Sequence, residues 1–321
     1  GGIDPDEVRK LLSANPKIVS FIMTSPTYDG FISDISRIKE ICDHFNVTLI
    51  VDEAHGAHLP YSSDLPDSAL AFNVGVVIHS AHKTLPVVTG GSLLHMNLPI
   101  DQEKSVLKVL AKLQTSSPSY IMMAQIDACV QVLGNNQKLW KEHLENIENL
   151  NKFLKKMKKL YAVTDYVAID EGVIAKDPAK SLIMTRGTVE NGRDLNLKMR
   201  DTYKIQMELD DELHMLGIIT LADSKKALSN YGKALLKLDK KIKKNTGQQK
   251  VHRVPRNPSI LMEPFEAESC EMKSILIEES LGQISAAMIT PYPPGIPAVV
   301  PGEVITASLI EGMQEWLAQG M

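Results

Sequence analysis

A lysine and an aspartate each follow a short apolar segment, in positions where their side chains could carry chemistry. Asp52 comes directly after residues 47–51 (VTLIV), and Lys83 lies shortly after residues 74–78 (VGVVI). A lysine amine can attack a carbonyl carbon and hold it covalently. A carboxylate can keep a proton on a nearby ring nitrogen. The alternative is that the two side chains form a chance ion pair.

The residues around the lysine favour the chemical interpretation. Ser80 and His82 lie beside Lys83 in the segment SAHKT, residues 80–84. Pyridoxal 5'-phosphate (PLP) requires a lysine amine for its Schiff base and an acid that protonates its pyridine nitrogen. The protonated ring then accepts electrons from a bond that breaks at the substrate α-carbon. Together these residue types predict a PLP site that includes Asp52 and Lys83.

The elements that would position these residues alternate between strands and helices. Apolar runs predict strands at 18–23, 47–51, 74–78 and 90–94, and apolar residues recur at helical spacing between 35 and 45. Such alternation indicates βαβ units and a mostly parallel sheet. Ligands of such sheets bind beyond the carboxyl ends of the strands. We therefore expect Asp52 and Lys83 at one edge of a sheet.

The second half of the chain predicts further helices and a second group of strands. Residues 139–160, rich in Leu, Lys and Glu, resemble one long helix. Strands are predicted at 164–167, 181–184 and 216–220, with helices near 192–203 and 224–238. The predicted organisation is a major α/β domain at 1–150, a small α/β domain at 151–245 and a C-terminal segment at 246–321.

Composition limits the classes of function. A formal net charge of -4 gives no reason to expect nucleic acid or a membrane surface as partner. No apolar run is long enough to span a bilayer, and the first residues carry no secretory signal pattern. Cys42, Cys129 and Cys270 are scattered and follow no metal-binding pattern, which suits a reducing cytoplasm. We expect a cytoplasmic protein with a small-molecule partner.

Four motifs follow one another along the chain. They are TSPTYDG at 24–30, VDEAHGAH at 51–58, SAHKTLP at 80–86, and TPYPPGIP at 290–297 with PGE at 301–303. In this order they resemble the signatures of the bacterial-type ornithine/lysine/arginine decarboxylases. The resemblance covers nearly the whole chain. It implies a fold-type I PLP-dependent transferase-like large domain, here incomplete, and a smaller C-terminal α/β domain. It also implies decarboxylation of lysine, arginine or ornithine to an amine of polyamine biosynthesis and carbon dioxide.

The resemblance implies roles for the residues after the first strands. Lys83 resembles the Schiff-base lysine, and Asp52 resembles the partner of the pyridine nitrogen. Ala54 lies where the family packs a residue near the cofactor ring, and His55 would lie beside it. These four residues are therefore expected to bind PLP.

Ser80 and His82 resemble residues that contact the cofactor phosphate and steady the lysine. Lys83 and His82 are also candidates for protonating the α-carbon after decarboxylation. The alternative for His82 is a structural histidine, and for His58 and His79 the structural interpretation is favoured.

The segment TSSPSY at 115–120 resembles the family loop that reaches the neighbouring subunit's active site. Thr115 and Ser116 would then bind the cofactor of a partner subunit, which implies a homodimer or a larger oligomer. Alternatively the segment caps a helix through Ser117 or Ser119.

Glu303 is a candidate for recognising the distal cation of a basic amino acid. The alternative is an acid at the start of a helix that begins at Val304. One carboxylate cannot rank lysine, ornithine and arginine, which differ in length and head-group shape.

The chain departs from the family pattern at its start. Family members have a further N-terminal region with a phosphate-binding turn and a histidine that stacks on the cofactor ring, and neither is found in this sequence. The expectation is therefore a fragment that binds PLP weakly. Two other functions stay open: another fold-type I reaction, such as that of an aminotransferase or a carbon–sulfur lyase, and an inactive chain that serves as a binding or regulatory subunit.

Overall fold

The first part of the chain forms a four-stranded sheet. The structure is a computed structural model that describes residues 2–164, 172–245, 259–291 and 295–318. The strands before residue 100 are β1 (Ser20–Thr24), β2 (Phe31–Ser33), β3 (Thr48–Asp52), β4 (Val76–His79) and β5 (Leu93–Met96). The sheet order is β1-β3-β4-β5, in which β1, β3 and β4 run parallel and β5 runs antiparallel to β4. The predicted α/β class and mostly parallel sheet are confirmed.

Two amphipathic helices, α1 (Pro5–Ala14) and α2 (Ile35–His44), pack against this sheet. Asp4 begins α1 as its N-cap, since its side chain accepts a hydrogen bond of 2.8 Å from the N–H of Asp6. Ile38 and Ile41 of α2 are fully buried in one core with Leu49 of β3. This packing fixes β3, the strand that ends at Asp52.

A helical region follows the first sheet. Its helices are α3 (Ala81–Thr84), α4 (Ile100–Leu113), α5 (Tyr120–Gly134) and α6 (Gln137–Leu154). The expectation of one helix over 139–160 is wrong, because α6 ends at Leu154. The buried carboxylate of Asp239 accepts hydrogen bonds from the N–H groups of Lys158, Lys159 and Leu160, which are therefore not available to a continuing helix.

A second sheet forms the core of the following part. Its strands are β6 (Tyr161–Val163), β8 (Lys180–Met184), β9 (Leu209–Asp210) and β10 (His214–Ile218). The same part of the chain also contains the strand β7 (Val173–Lys176) and the helices α7 (Gly192–Tyr203) and α8 (Lys225–Lys241). The sheet order is β6-β8-β10-β9, with antiparallel neighbours. The helices α6, α7 and α8 bury one face of this sheet. Residues 165–167 of the predicted strand at 164–167 lie outside the described residues.

The strand β7 joins the two parts of the molecule. It pairs antiparallel with β2, which lies between β1 and α2 in the chain. The segment after β7 therefore starts beside the first sheet and leads directly into β8 of the second. This connection is what brings side chains of β8 to the carboxyl edge of the first sheet.

The last part contains α9 (Pro264–Ser269) and α10 (Ala307–Ala318), with a small core around Val299, Leu309 and Trp316. Short 3₁₀ helices lie at Leu59–Tyr61, Ala69–Phe72 and Ile277–Glu279. Residues 292–294 of the late Pro-rich motif lie outside the described residues. Within the described ranges, no helix has both the length and the apolar character needed to cross a membrane. The domain limits at 150 and 245 stay a prediction.

Candidate active site

The structure places Asp52 and Lys83 at one edge of the first sheet. Asp52 is the last residue of β3, and Lys83 lies in α3, directly after the parallel neighbour β4. The carboxylate of Asp52 accepts a hydrogen bond of 3.0 Å from the N–H of Ala54 through Oδ1. Asp52 and Ala54 are half-buried and Lys83 is exposed. The carboxylate of Asp52, the methyl group of Ala54 and the amine of Lys83 thus all follow the carboxyl ends of β3 and β4.

His55 lies between two lysine amines. Nε2 of His55 is 3.4 Å from Nζ of Lys83, and Nδ1 is 2.8 Å from Nζ of Lys180. Burial, together with the positive charges of Lys180 and Lys83, lowers the pKa of His55 to about 3. The imidazole is therefore neutral at physiological pH, with one N–H and one free lone pair.

Lys180 is a buried cation in an aromatic and acidic setting. Burial lowers its pKa to about 8, opposed by the negative charges of Asp177 and Glu208. Its Nζ lies 5.7 Å from the ring centre of Tyr28, whose hydroxyl donates a hydrogen bond of 2.7 Å to Glu208. The rings of Tyr28 and His55 are 4.4 Å apart. These contacts fix the lysine against the imidazole.

Asp177 and His58 form a second buried contact between the two parts of the chain. Nε2 of His58 is 3.2 Å from Oδ1 of Asp177, which also accepts the N–H of Ala179 at 2.8 Å. Burial tends to raise the pKa of Asp177, but the charge and hydrogen bond of His58 outweigh it and hold the pKa below the ordinary value. The pair anchors the segment after β3 to the turn that precedes β8, in line with a structural role for His58.

Ser80 and His82 precede Lys83 in the chain, and each has a polar atom that can make a further hydrogen bond. Ser80 is the N-cap residue of α3, yet its hydroxyl makes no capping hydrogen bond to that helix. Nδ1 of His82 is 2.8 Å from the carbonyl oxygen of Gly91. Because a carbonyl only accepts, Nδ1 carries a proton, and Nε2 is the nitrogen that can gain or lose one. A purely structural role for His82 stays open.

Behind Asp52 lies a buried polar network centred on Glu53. Its carboxylate accepts hydrogen bonds from the N–H of Ala69 at 2.9 Å and from the hydroxyl of Ser68, and lies 2.7 Å from Nε2 of His79. Nδ1 of His79 is 3.1 Å from Nε2 of His95 on β5. The network holds the ends of β3, β4 and β5 together, so His79 has the structural role that the sequence favoured.

Thr115 and Ser116 are exposed in the loop between α4 and α5. The hydroxyl of Thr115 accepts a hydrogen bond of 3.1 Å from the N–H of Ser117. Ser119 caps α5, since its hydroxyl accepts from the N–H of Met122 at 3.3 Å. The capping alternative is thus confirmed for Ser119, and it leaves Thr115 and Ser116 available for a partner subunit.

Glu303 lies in the C-terminal part of the chain. Its Oε2 accepts a hydrogen bond of 2.8 Å from the N–H of Val300, and its main chain bridges to Ile260. The expectation of a helix from Val304 is wrong, because α10 begins at Ala307 and Val304 instead forms a β-bridge with Ile284. A role of Glu303 toward a substrate stays a prediction.

The fold and the edge residues define a class of protein. A mostly parallel sheet with Lys83 and Asp52 at its carboxyl edge, joined to a second small sheet, is the architecture of fold-type I PLP-dependent enzymes. Lysine decarboxylase A from Pseudomonas aeruginosa superposes with a TM-score of 0.78 at 17% identity, covering 100% of this chain and 57% of that chain. Pyridoxamine-pyruvate aminotransferase from Mesorhizobium loti gives a TM-score of 0.58 at 15% identity, covering 74% of this chain and 64% of that chain.

The family within that class follows from the sequence comparison. The family model described as Orn/Lys/Arg decarboxylase, major domain, matches residues 1–226, and the model of the C-terminal domain of the same family matches residues 246–318. The chain belongs to the ornithine/lysine/arginine decarboxylase family, as its motifs predicted. Arginine decarboxylase from Bacillus subtilis (strain 168) is 28% identical over 323 residues, which cover 100% of this chain and 66% of that protein. The chain thus spans about two thirds of the length of such curated relatives.

Sequence reasoning missed Lys180, which contacts His55, and Glu208, whose carboxylate accepts a hydrogen bond from Tyr28. One local signal existed for Lys180: the turn Asp-Pro-Ala at 177–179 places a lysine at the first position of an apolar strand. Fully buried lysines are rare and need partners, so such a position points to a specific role once burial is known. Glu208 has no comparable local signal.

Proposed function

We propose that this chain binds PLP through Lys83 and catalyses α-decarboxylation of lysine, arginine or ornithine. The observation that carries the proposal is the amine of Lys83, 3.4 Å from a neutral His55 and at the same sheet edge as Asp52. Membership of the Orn/Lys/Arg decarboxylase family supports this activity, as do relatives named arginine decarboxylase and lysine decarboxylase.

The residues at this edge fit PLP by their chemistry. The amine of Lys83 suits the aldehyde, and the carboxylate of Asp52, held through one oxygen by Ala54, suits the pyridine nitrogen. The hydroxyl of Ser80 and the imidazole of His82 are candidates for the phosphate. When bound, PLP supplies an electron sink for the bond that breaks at the substrate α-carbon.

Side chains of the protein would then transfer the protons. A neutral amine at Lys83 is the form that can bond covalently and be released again. His82 exchanges its proton at Nε2, because Nδ1 is engaged by Gly91. Either Lys83 or His82 is a candidate to deliver a proton to the α-carbon after carbon dioxide leaves.

Glu303 is proposed to select the substrate. Its Oε2 accepts a hydrogen bond from the N–H of Val300, and a carboxylate is a suitable partner for the distal cation of a basic amino acid. The product amines would belong to polyamine biosynthesis, and we propose a cytoplasmic location in keeping with the free thiols of Cys42, Cys129 and Cys270.

A homodimer or larger oligomer is proposed as the active form. Within the chain α4 buries none of its residues, and Leu113, Tyr120 and Ile121 around the α4–α5 loop are 79%, 78% and 83% exposed. Apolar surface of this extent is typical of an interface. A partner on this face would bring Thr115 and Ser116 toward its own site.

The test is to supply the chain with PLP and carboxyl-labelled lysine, arginine and ornithine, and to measure carbon dioxide and keto acid. Labelled carbon dioxide released in proportion to amine supports the proposal, with Lys83→Ala as the inactive control. Keto acid without carbon dioxide would make the chain an aminotransferase. PLP held on Lys83 without turnover would favour a binding or regulatory subunit.

A further inference from the structure

A second lysine reaches the imidazole that contacts Lys83. Lys180 is 1% exposed, and its Nζ lies 2.8 Å from Nδ1 of His55. Lys83 lies at 3.4 Å from the other nitrogen, Nε2. One imidazole ring therefore separates a buried amine from an exposed one.

The charges around Lys180 decide which partner donates. Burial lowers the pKa of Lys180 to about 8 against the charges of Asp177, Glu208 and Asp29, so the ammonium form predominates at neutral pH. An ammonium has three N–H donors and no acceptor, so Nδ1 of His55 must offer its lone pair. The short distance of 2.8 Å is that of a charge-assisted bond.

The proton of a neutral imidazole then lies on the opposite nitrogen. With Nδ1 accepting from Lys180, Nε2 of His55 carries the hydrogen and faces Lys83. The buried amine of Lys180 therefore determines which nitrogen of the imidazole presents its N–H to Lys83.

We propose that Lys180 is a positioning residue that fixes the proton of His55 on Nε2, the nitrogen that faces Lys83. The use of the Lys83 amine to hold a cofactor rests on the proposed function. The tautomer of His55 does not depend on it.

The surrounding backbone is built to bring Lys180 to this position. The ring of Tyr28 lies under the ammonium at 5.7 Å and beside His55 at 4.4 Å. Gly30 has φ +90, and a Cβ at this residue would lie 2.5 Å from Cγ of Lys180. The absence of a side chain at Gly30 thus leaves space for the stem of the lysine.

The direct test is the tautomer of His55 in the chain without PLP. Histidine labelled with ¹⁵N gives signals for nine residues, and His55→Gln identifies the signal of His55. The expected result is a neutral ring protonated on Nε2. A ring protonated on Nδ1 in the wild-type chain would overturn the proposal, and this measurement needs no variant of Lys180.

The second test follows the tautomer of His55 in a variant that lacks the Lys180 amine. Lys180→Met keeps the length of the side chain but removes charge and donor. The expected result is a mixture of the two neutral tautomers of His55. A ring protonated only on Nε2, as in the wild-type chain, would contradict the proposal.

Lys159→Met is the control, because Lys159 is a half-buried lysine whose amine bonds the main-chain oxygens of Lys240 and Ile242. This variant should leave the tautomer of His55 as in the wild-type chain. If the tautomer is as proposed but PLP does not attach to Lys83, the proposed function fails while the role of Lys180 stands.

Discussion

The amine of Lys180 on β8 lies 2.8 Å from Nδ1 of His55, 125 positions earlier in the chain. A residue of the second sheet thereby touches the segment that follows β3 of the first sheet. His55 in turn contacts Lys83. The surroundings of Lys83 are therefore built by both sheets, and a change in either sheet alters them.

Lys83→Ala should abolish covalent PLP binding and lower turnover by roughly a thousandfold or more, as expected when a nucleophile is removed. Borohydride reduction fixes PLP on the lysine that holds it, and peptide mapping then identifies that lysine. Lys159→Ala serves as control. PLP fixed on any lysine other than Lys83 would show that the assignment is wrong.

Asp52→Asn should keep part of the PLP binding and slow decarboxylation by roughly a hundredfold or more. An amide cannot hold a proton on the pyridine nitrogen, so the ring accepts electrons less readily. Absorbance titration measures binding, and carbon dioxide release measures the rate. Near-normal turnover of this variant would mean that Asp52 serves only the structure.

Glu53→Gln should lower the free energy of unfolding by about 3 kcal/mol, because a buried partner of His79 and Ser68 is replaced by an amide whose NH₂ group faces one of them. Urea denaturation measures the effect. Glu40→Gln, on the exposed face of α2, is the matched control and should change little. Equal stabilities of the two variants would exclude the Glu53 network as a significant source of stability.

His214 should make stability depend on pH. Burial lowers its pKa, but the hydrogen bond to Asp211 at 3.1 Å and the charge of Asp29 at 3.3 Å outweigh burial and raise the pKa to about 9. The folded pKa is above the unfolded value, so the stabilisation is complete below about pH 6.5 and is lost as the pH rises through about 9.

His214→Asn should therefore lower the free energy of unfolding by about 2–3 kcal/mol near pH 6 and leave it almost unchanged near pH 10. Urea denaturation of both chains across this range gives the difference. His44→Asn removes an exposed histidine of α2 and should give a small difference at every pH. A pH-independent loss in His214→Asn would mean that packing, and not charge, is what the ring contributes.

The exposed apolar face around the α4–α5 loop should mediate self-association. Leu113→Asp combined with Ile121→Asp places two charges on this face and should shift a dimer or larger species toward monomer. Light scattering at several concentrations measures the shift. Val19→Asp, on another exposed apolar position, is the control. A wild-type chain that is monomeric and fully active would contradict the oligomer.

The sequence alone determined the local elements and the order of the motifs. Apolar runs that end in Asp52 and His79 fixed β3 and β4 to within one or two residues, because a buried strand needs an uninterrupted apolar segment. The helix predicted over 192–203 matches α7, whose capping box and periodicity are local signals. The strand ends then placed Asp52 and Lys83 at a common edge.

Only the tertiary structure decided which distant side chains meet there. The end of α6 at Leu154 depends on Asp239, which is 79 to 81 positions away from the N–H groups that it binds. The contact between Lys180 and His55 depends on the pairing of β2 with β7, which carries the chain from the first sheet into β8. Periodicity and caps report on neighbours within about one helical turn or strand, whereas these contacts form only after the two sheets have packed. The types of the candidate site residues can thus be read from the local sequence, whereas their electrostatic surroundings depend on packing.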